Sequence, residues 1–243
     1  MTSPDAAPVG PPRGAPHDPP YVVGLQVGQP ERHVMRSGRA YVTGFWKTAV
    51  QGPRWLSELG VDGDGQADLV HHGGMHKAIL LYAVEHYASW SAELEAEPFP
   101  PGGFGENASV LGVTEADVCI GDVWRIGEAL VEVSQPRQPC WKLDERWGRS
   151  DLVERTEATG RTGWYHRVVE EGFVGPGDRL ELVDRPRPEW SVARANDVMH
   201  HHGHDRDMTA ELSAVPELSP SWRLRLAARL EGIDDDRTAR RTG

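Results

Sequence analysis

Short segments of alternating or continuous apolar residues recur from Tyr21 to about Asp184, and this recurrence constrains the fold more than any other feature. Turns rich in glycine and aspartate separate the segments. Such spacing is typical of the strands of a β-barrel or β-sandwich. The clearest segments are YVVGLQVG, RAYVTGFW, KAILLYA, DVCIGDVWRIG, ALVEVSQ and DRLELVD.

Two stretches inside this strand-rich region favour helices instead. In AVEHYASWSAELEA, the apolar residues Val84, Tyr87, Trp90 and Leu94 repeat at helical spacing. HRVVEEG ends at a glycine that suits a helix C-cap. The sequence therefore predicts an α+β domain in which strands dominate and helices are peripheral.

The pattern changes after RPRPEW. SVARANDVMHH, DMTAELSAV and SPSWRLRLAARLEG each predict a short helix, the last with Ser219 or Ser221 as its N-cap. We expect residues 189–243 to form a small three-helix domain after a β-barrel domain at residues 21–188. Residues 1–20 are dominated by proline, glycine and alanine, and are expected to form a disordered tail.

Charge and composition restrict the partners. The formal net charge is -11 and no lysine- or arginine-rich stripe offsets it, which argues against nucleic acid. The N-terminus lacks the apolar core of a secretory signal, and no apolar run approaches the length that spans a bilayer. Two cysteines suffice neither for a disulfide framework nor for an iron–sulfur cluster. We expect a cytoplasmic protein without a membrane partner.

Cys140 lies in an unusual setting, the stretch VEVSQPRQPCWKL. Arg137 and Lys142 favour a thiolate, and two prolines fix the loop and keep it out of a strand ladder. Such a thiolate can be a nucleophile, as in a cysteine hydrolase, or a ligand for a soft metal, and a purely structural role fits composition equally well. The other cysteine, Cys119, lies in an apolar strand and is expected to be a small buried hydrophobe.

Two further stretches carry candidate binding residues. In GDGQADLVHHGGMHKAI, the glycine pair Gly73-Gly74 lets the backbone approach a ligand, and His72 and Lys77 suit an anionic phosphate; a polar surface loop explains the stretch equally well. Asn107 follows a glycine-rich turn and can orient a ligand, although capping that turn is the favoured interpretation. Neither GxGxxG nor GxxxxGK[ST] occurs in the chain.

Together these pieces are more specific than any one of them. The chain resembles the MOSC domain, named for the C-terminal domain of molybdenum cofactor sulfurase, in the segments VTGFWKTAVQGP, GVDGDGQADLVHHGG, KAILLYAVEHYASW, FGENASVLG, IGDVWRIGEALVEVSQPRQPCWKL and GWYHRVVEEGFVGPGD. The tail from WSVARANDVMH to ELSPSWRLRLAARL is similar to the three-helix extension of the YiiM-like branch. The resemblance covers about Tyr21 to Gly232.

This resemblance implies a β-barrel that binds the molybdenum cofactor, a pyranopterin whose dithiolene holds the metal. Cys140 takes the position of the molybdenum ligand and catalytic residue, which suits a soft thiolate. The residues that match the family's pterin- and phosphate-binding motifs are His72, Lys77, Asn107, Gln135 and Arg137. The chain departs from the family at Met75-His76, where Pro-Asp commonly follows His-Gly-Gly, and this difference bears on the acidic contact expected there.

The resemblance further implies reduction of N-hydroxylated compounds, such as hydroxylaminopurines or amidoximes, to amines. Because the chain has no iron–sulfur motif and no dinucleotide fingerprint, we expect electrons from a separate reductase. Two alternatives stay open: a non-catalytic carrier of the cofactor or of persulfide sulfur, and a cysteine hydrolase that needs no metal.

Overall fold

The computed structural model of the chain describes residues 19–69 and 71–233. All but the last two residues of the tail predicted at 1–20 lie outside the described residues. Strands are the more frequent elements in the described ranges: β1 (Tyr21–Val27), β2 (Glu31–Val34), β3 (Ala40–Thr43), β4 (Thr48–Ala49), β5 (Arg54–Ser57), β6 (Gly60–Val61), β7 (Ile79–Ala83), β8 (Ala108–Leu111), β9 (Val123–Ile126), β10 (Ala129–Pro136), β11 (Trp164–Glu170), β12 (Gly172–Val174) and β13 (Leu180–Asp184).

Six α-helices complete the described part of the chain, which is therefore a strand-rich α+β structure. Their bounds are α1 (Glu85–Leu94), α2 (Lys142–Trp147), α3 (Leu152–Thr159), α4 (Val192–His200), α5 (Arg206–Ser213) and α6 (Pro220–Leu230), and a single 3-10 turn spans Met75–Lys77. Within these described ranges, no helix combines the length and apolar character needed to cross a bilayer.

The largest sheet has eight strands in the order β13-β9-β10-β11-β7-β8-β1-β4. Its pairs are antiparallel apart from β7 and β8, which run parallel. Every residue of β7 is buried, as its place between β11 and β8 requires. Ala129, Val131 and Val133 of β10 point into the core, and the buried end of this strand leads directly into the loop that carries Cys140.

The predicted barrel is not closed, and this expectation is corrected to an open sheet. The ends of the sheet approach each other at the start of β1, where Tyr21 and Arg179 form an isolated bridge. Further along that edge, Gln26 and Val27 pair with β4 rather than with β13. Because a strand edge can bond to one neighbour at a time, β4 takes the hydrogen bonds that would otherwise extend the closing ladder.

The two helix predictions inside the strand-rich region have opposite outcomes. The first is confirmed by α1, whose Tyr87 and Trp90 are buried. The second is wrong, since residues 166–170 of HRVVEEG belong to β11 and the expected capping residue Gly172 begins β12. Val168 and Val169 are β-branched and suit a strand, and β11 gains hydrogen-bonding neighbours on both sides, β10 and β7.

The three predicted C-terminal helices are confirmed as α4, α5 and α6. Ser219 is the N-cap of α6, and its side chain accepts a hydrogen bond from the backbone N–H of Trp222. Trp222 and Leu226 of α6 belong to the same buried cluster as Val131 and Val133 of β10. The helices therefore pack directly on the sheet, next to the strand that precedes Cys140.

A second buried cluster supports the other side of that loop. The rings of Tyr82 and Phe104 are stacked with centroids 4.5 Å apart, and Trp90 Nε1 donates to Tyr82 Oη at 2.7 Å. Leu143 of α2 and Leu152 of α3 are completely buried in the same cluster. This packing anchors α2, the helix that begins two residues after Cys140.

Candidate functional site

Two cavities meet at Cys140. The first, which we call the Arg137 cavity, has a volume of about 620 Å³ and is bordered by Arg137, Phe45 and Asn107, among others. The second, the Trp141 cavity, measures about 1290 Å³ and is bordered by Trp141 and α6. Residues that border both include Cys140, His72, Lys77, Lys142 and Tyr165.

Backbone contacts fix the loop that carries the thiol. The carbonyl of Cys140 accepts from the N–H of Leu143 in the first turn of α2 (2.9 Å), and the N–H of Arg137 donates to the carbonyl of Gly163 (3.0 Å). Gly163 has a φ of +72°, and a Cβ there would lie 2.4 Å from the carbonyl oxygen of Leu81. Only glycine can occupy this turn, which begins β11 and places Tyr165 in the cavities.

The structure brings the predicted site residues together around these cavities. The Arg137 cavity is bordered by five of them: His72, Lys77, Asn107, Arg137 and Cys140. The sixth, Gln135, borders the Trp141 cavity. Their roles toward a cofactor stay predictions, and five of the six border one and the same cavity.

Two of these side chains already bond to the chain itself. Asn107 Oδ1 accepts from the N–H of Leu80 (3.2 Å), and its Nδ2 donates to Asp64 Oδ2 (2.9 Å). Gln135 Oε1 accepts from the hydroxyls of Ser219 (2.7 Å) and Ser221 (3.3 Å). Asn107 thus joins β7 to the wall of the Arg137 cavity, and Gln135 joins the end of β10 to α6.

Arg137 has a different environment. It is 4% exposed, its Cζ lies 5.9 Å from the centroid of the Phe45 ring, and its buried Nη1 has no hydrogen-bond partner among the described residues. Leaving a buried donor of a charged group unsatisfied costs more than about 1–3 kcal/mol. An acceptor supplied by a ligand in the Arg137 cavity would remove this cost.

The cavities carry more positive than negative groups. Among the described residues, five cationic side chains and two carboxylates border them, an excess of three formal positive charges in an acidic chain. Lys47 and Asp64 form a buried ion pair, and burial lowers the pKa of Lys47. The other charged groups are Lys77, Arg137, Lys142, Arg225 and Asp68. This excess favours an anionic ligand.

Burial also sets the protonation of two uncharged groups beside Cys140. Desolvation, helped by the nearby cation of Lys142, lowers the pKa of His72 to about 3, so its imidazole is neutral at pH 7. Burial raises the pKa of Tyr165 to about 12, so its phenol keeps its proton. Both side chains therefore offer neutral hydrogen-bonding groups to the cavities.

Comparison with known proteins identifies the family. The MOSC domain profile matches residues 68–181, and the profile of the YiiM-like 3-alpha helix domain matches residues 190–232. YiiM of Escherichia coli is 40% identical over 200 residues, which cover 81% of this chain and 89% of that protein. The chain belongs to the MOSC family, in its YiiM-like branch.

Two further comparisons extend this result. The crystal structure of YiiM from Geobacillus stearothermophilus superposes on this YiiM-like chain with a TM-score of 0.74 at 36% identity, and covers 87% of this chain and 100% of its own. A Gibberella moniliformis protein named Reductase is 36% identical over 182 residues, which amount to 74% of this chain but 32% of that protein.

The donor set of the YiiM-like site is small. Within the described ranges, no group of three or more His, Cys, Asp or Glu side chains is arranged to hold a metal ion. The thiol of Cys140 could supply only one soft ligand, so a metal bound there would need further ligands from a cofactor. A cofactor whose dithiolene already holds the metal satisfies this requirement. Arg137 Nη1, which has no hydrogen-bond partner among the described residues, suits an anionic group of such a cofactor.

Sequence reasoning did not nominate several residues that build the YiiM-like site. Asp64 accepts from the N–H of Gly28 (2.8 Å) and from the ammonium of Lys47, and it also holds Asn107. Tyr165 borders both cavities. Asp64 lies in the polar stretch that the sequence analysis singled out. Lys47, in the aromatic segment VTGFWKT, could not be found in this way, because nothing in the neighbouring sequence distinguishes a buried lysine from an exposed one.

The acid sensitivity of the fold follows from buried histidines near the YiiM-like site. Burial lowers the pKa of His166 to about 3, as it does for His72. From about pH 6.5 down to 3, the unfolded chain binds protons that the folded chain does not, so stability falls as the pH falls, by about 1.4 kcal/mol per pH unit and histidine. We expect His166→Leu to reduce the slope of this decline by about 1.4 kcal/mol per pH unit, which is the contribution of one histidine.

Urea unfolding at pH 7, 6 and 5 measures the decline. His204→Asn is the control, because His204 is exposed on the loop between α4 and α5, and it should keep the wild-type slope. An unchanged slope in His166→Leu would show that His166 is protonated equally in both states.

Proposed function

We propose that this YiiM-like protein binds the molybdenum cofactor and reduces N-hydroxylated compounds to amines. The observation that carries the proposal is the thiol of Cys140 at the junction of two cavities. One cavity is bordered by Arg137, whose buried Nη1 has no hydrogen-bond partner among the described residues, and the other is bordered by Trp141 and α6. The bound cofactor would supply the transfer of two electrons and a site for the oxygen atom.

The chain's own residues bind and orient in this proposal. Cys140 ligates the metal, and Arg137 meets an anionic group of the pterin through the buried Nη1. Lys77, whose ammonium donates to the carbonyl of His71 at 2.6 Å, and His72 border the same cavity and complete the anion site. Asn107 fixes the wall against which the pterin lies, and Gln135 holds the loop before Cys140.

The reaction consumes two protons, because a hydroxylamine, two electrons and two protons give an amine and water as the N–O bond breaks. Tyr165 holds a proton on its phenol oxygen at pH 7 and borders the Trp141 cavity beside Cys140. It is placed to donate a hydrogen bond to the oxygen that leaves. The Trp141 cavity provides the route by which solvent replaces protons.

Electrons come from a separate reductase in this proposal. The fungal relative named Reductase supports it, since the segment similar to this chain makes up only 32% of that protein. In this proposal a partner protein carries the reducing unit for the YiiM-like chain.

Metal and pterin content test the proposal most directly. Protein purified from a cofactor-competent host is expected to hold molybdenum and pterin at about one per chain and to reduce a hydroxylamine with reduced methyl viologen. A loaded protein without turnover would favour the carrier alternative. Protein without metal that cleaves esters through its thiol would favour a cysteine hydrolase and overturn the proposal.

A further inference from the structure

Helix α6 of the three-helix domain forms part of the wall of the Trp141 cavity. Ser221, the second residue of α6, and Arg225, one turn later on the same face, border this cavity together with Cys140. The domain thus reaches the candidate substrate space directly.

Hydrogen bonds fasten α6 to the loop that carries the thiol. Gln135 Oε1 accepts from the hydroxyl of the completely buried Ser219 at 2.7 Å, and Arg225 Nη1 donates to Gln138 Oε1. Both glutamines lie in the five residues before Cys140. The position of α6 relative to the thiol is therefore set by one side chain at the end of β10 and one in the loop that follows it.

The cationic groups divide between the two cavities. Arg137 borders its own cavity and not the Trp141 cavity, whereas Arg225 borders the Trp141 cavity alone; Lys77 and Lys142 border both. Asp68, the carboxylate beside the Trp141 cavity, accepts from His71 Nδ1 at 2.8 Å. With a cofactor anion beside Arg137, the guanidinium of Arg225 stays on the wall of the Trp141 cavity, where a second ligand would lie.

The same cavity has a flat aromatic surface. The ring of Trp141 is held edge-on by Tyr41 at a centroid distance of 4.9 Å, and the ammonium of Lys142 lies 5.8 Å from its centroid. Val42, which is 51% exposed, extends this apolar surface. The guanidinium of Arg39 also lies over the indole, 5.9 Å from its centroid. Such a surface suits a planar ring that packs against the indole beside these cations.

We propose, on the basis of the proposed function, that the Trp141 cavity selects planar N-hydroxylated substrates that carry an anionic group, with the ring on Trp141 and the anion on Arg225 and Lys142. The three-helix domain is then the specificity element of the enzyme. The anion is a phosphate, as in a nucleotide, or a carboxylate, and both present oxygens to a guanidinium in the same way.

Paired substrates test this selectivity in the cofactor-loaded protein with reduced methyl viologen. One pair is 6-hydroxylaminopurine and its ribonucleoside 5′-monophosphate, and the other is benzamidoxime and its 4-carboxylate. We expect kcat/KM to favour the anionic member of at least one pair by about tenfold, the effect of one charge-assisted hydrogen bond. The pair with the larger ratio identifies the anion.

The variants assign that preference to α6. Arg225→Gln is expected to reduce the ratio to about 1. Arg223→Gln, which loses the same charge from an exposed position on the same helix, should keep the wild-type ratio. Thermal unfolding confirms that both variants are folded. A folded Arg225→Gln protein with the wild-type ratio, or a wild type without preference, would overturn the proposal.

Binding provides a second measurement that needs no turnover. Calorimetric titration of the wild type with adenine and with adenosine 5′-monophosphate should show tighter binding of the nucleotide, and Arg225→Gln should remove the difference. A preference in binding without reduction of any hydroxylamine would reject the proposed function and retain the anion site. Turnover with equal binding of adenine and its nucleotide, and without a preference for the carboxylate in the benzamidoxime pair, would retain the proposed function and reject the anion site.

Discussion

Replacement of Cys140 by alanine is expected to remove molybdenum from the purified protein and to lower hydroxylamine reduction by more than about 100-fold, because no group of three or more His, Cys, Asp or Glu side chains among the described residues could hold the metal in its place. The fold should tolerate the change. Cys140 is 6% exposed, and truncation of such a small side chain costs about 1 kcal/mol. Elemental analysis, turnover with an artificial donor and thermal unfolding of the same preparation measure the three effects.

Cys119→Ala is the matched control for this experiment. Cys119 is also buried, but its thiol donates to the carbonyl of Pro188 at 3.7 Å and borders neither cavity. This variant should keep both metal and activity at a similar cost in stability. If Cys140→Ala instead keeps full metal content and activity, Cys140 is not the ligand and the proposed function fails.

The strands were the most predictable part of the fold, since alternation of apolar residues is a local property. HRVVEEG shows where local reasoning fails: its terminal glycine suits a helix cap, but the pairing of residues 166–170 with β10, and of His166 with β7, decides for a strand. The open sheet could not be predicted either. It depends on the competition of β4 and β13 for one edge of β1, which involves residues distant in the sequence.

Part of the candidate site could be predicted from the sequence and part could not. Loops that lie far apart in the sequence supply Lys77, Asn107 and Cys140, and local chemistry alone left each of them with a structural alternative. The family resemblance grouped them, and the structure places them beside the same cavity. The pair of Lys47 and Asp64 was not predicted, because neither residue's pattern reveals burial; only the folded chain shows that each neutralises the other.

Replacement of Arg137 is the second test with a large expected effect, since it should weaken cofactor binding and raise the stability of the cofactor-free protein. In cofactor-free protein its buried Nη1 has no partner among the described residues, so Arg137→Met removes an uncompensated cost. We expect the free energy of unfolding to rise by about 1–3 kcal/mol. Cofactor retention should fall by at least about tenfold, because the anion loses its donor. Urea unfolding and pterin analysis measure the two quantities.

Arg146 is the control that separates this interpretation from a purely structural one. Its guanidinium also lies over the Phe45 ring, at 5.7 Å, but Nη1 donates to the carbonyls of Phe45 (3.0 Å) and Gly102 (2.6 Å). Arg146→Met should therefore lower the free energy of unfolding by about 1–3 kcal/mol, since two carbonyls each lose one of their donors and the buried packing over Phe45 is changed. If Arg137→Met destabilises the cofactor-free protein to the same extent, Arg137 serves the fold. If it stabilises the protein while the pterin is lost, the buried guanidinium is maintained for its ligand at the expense of the fold.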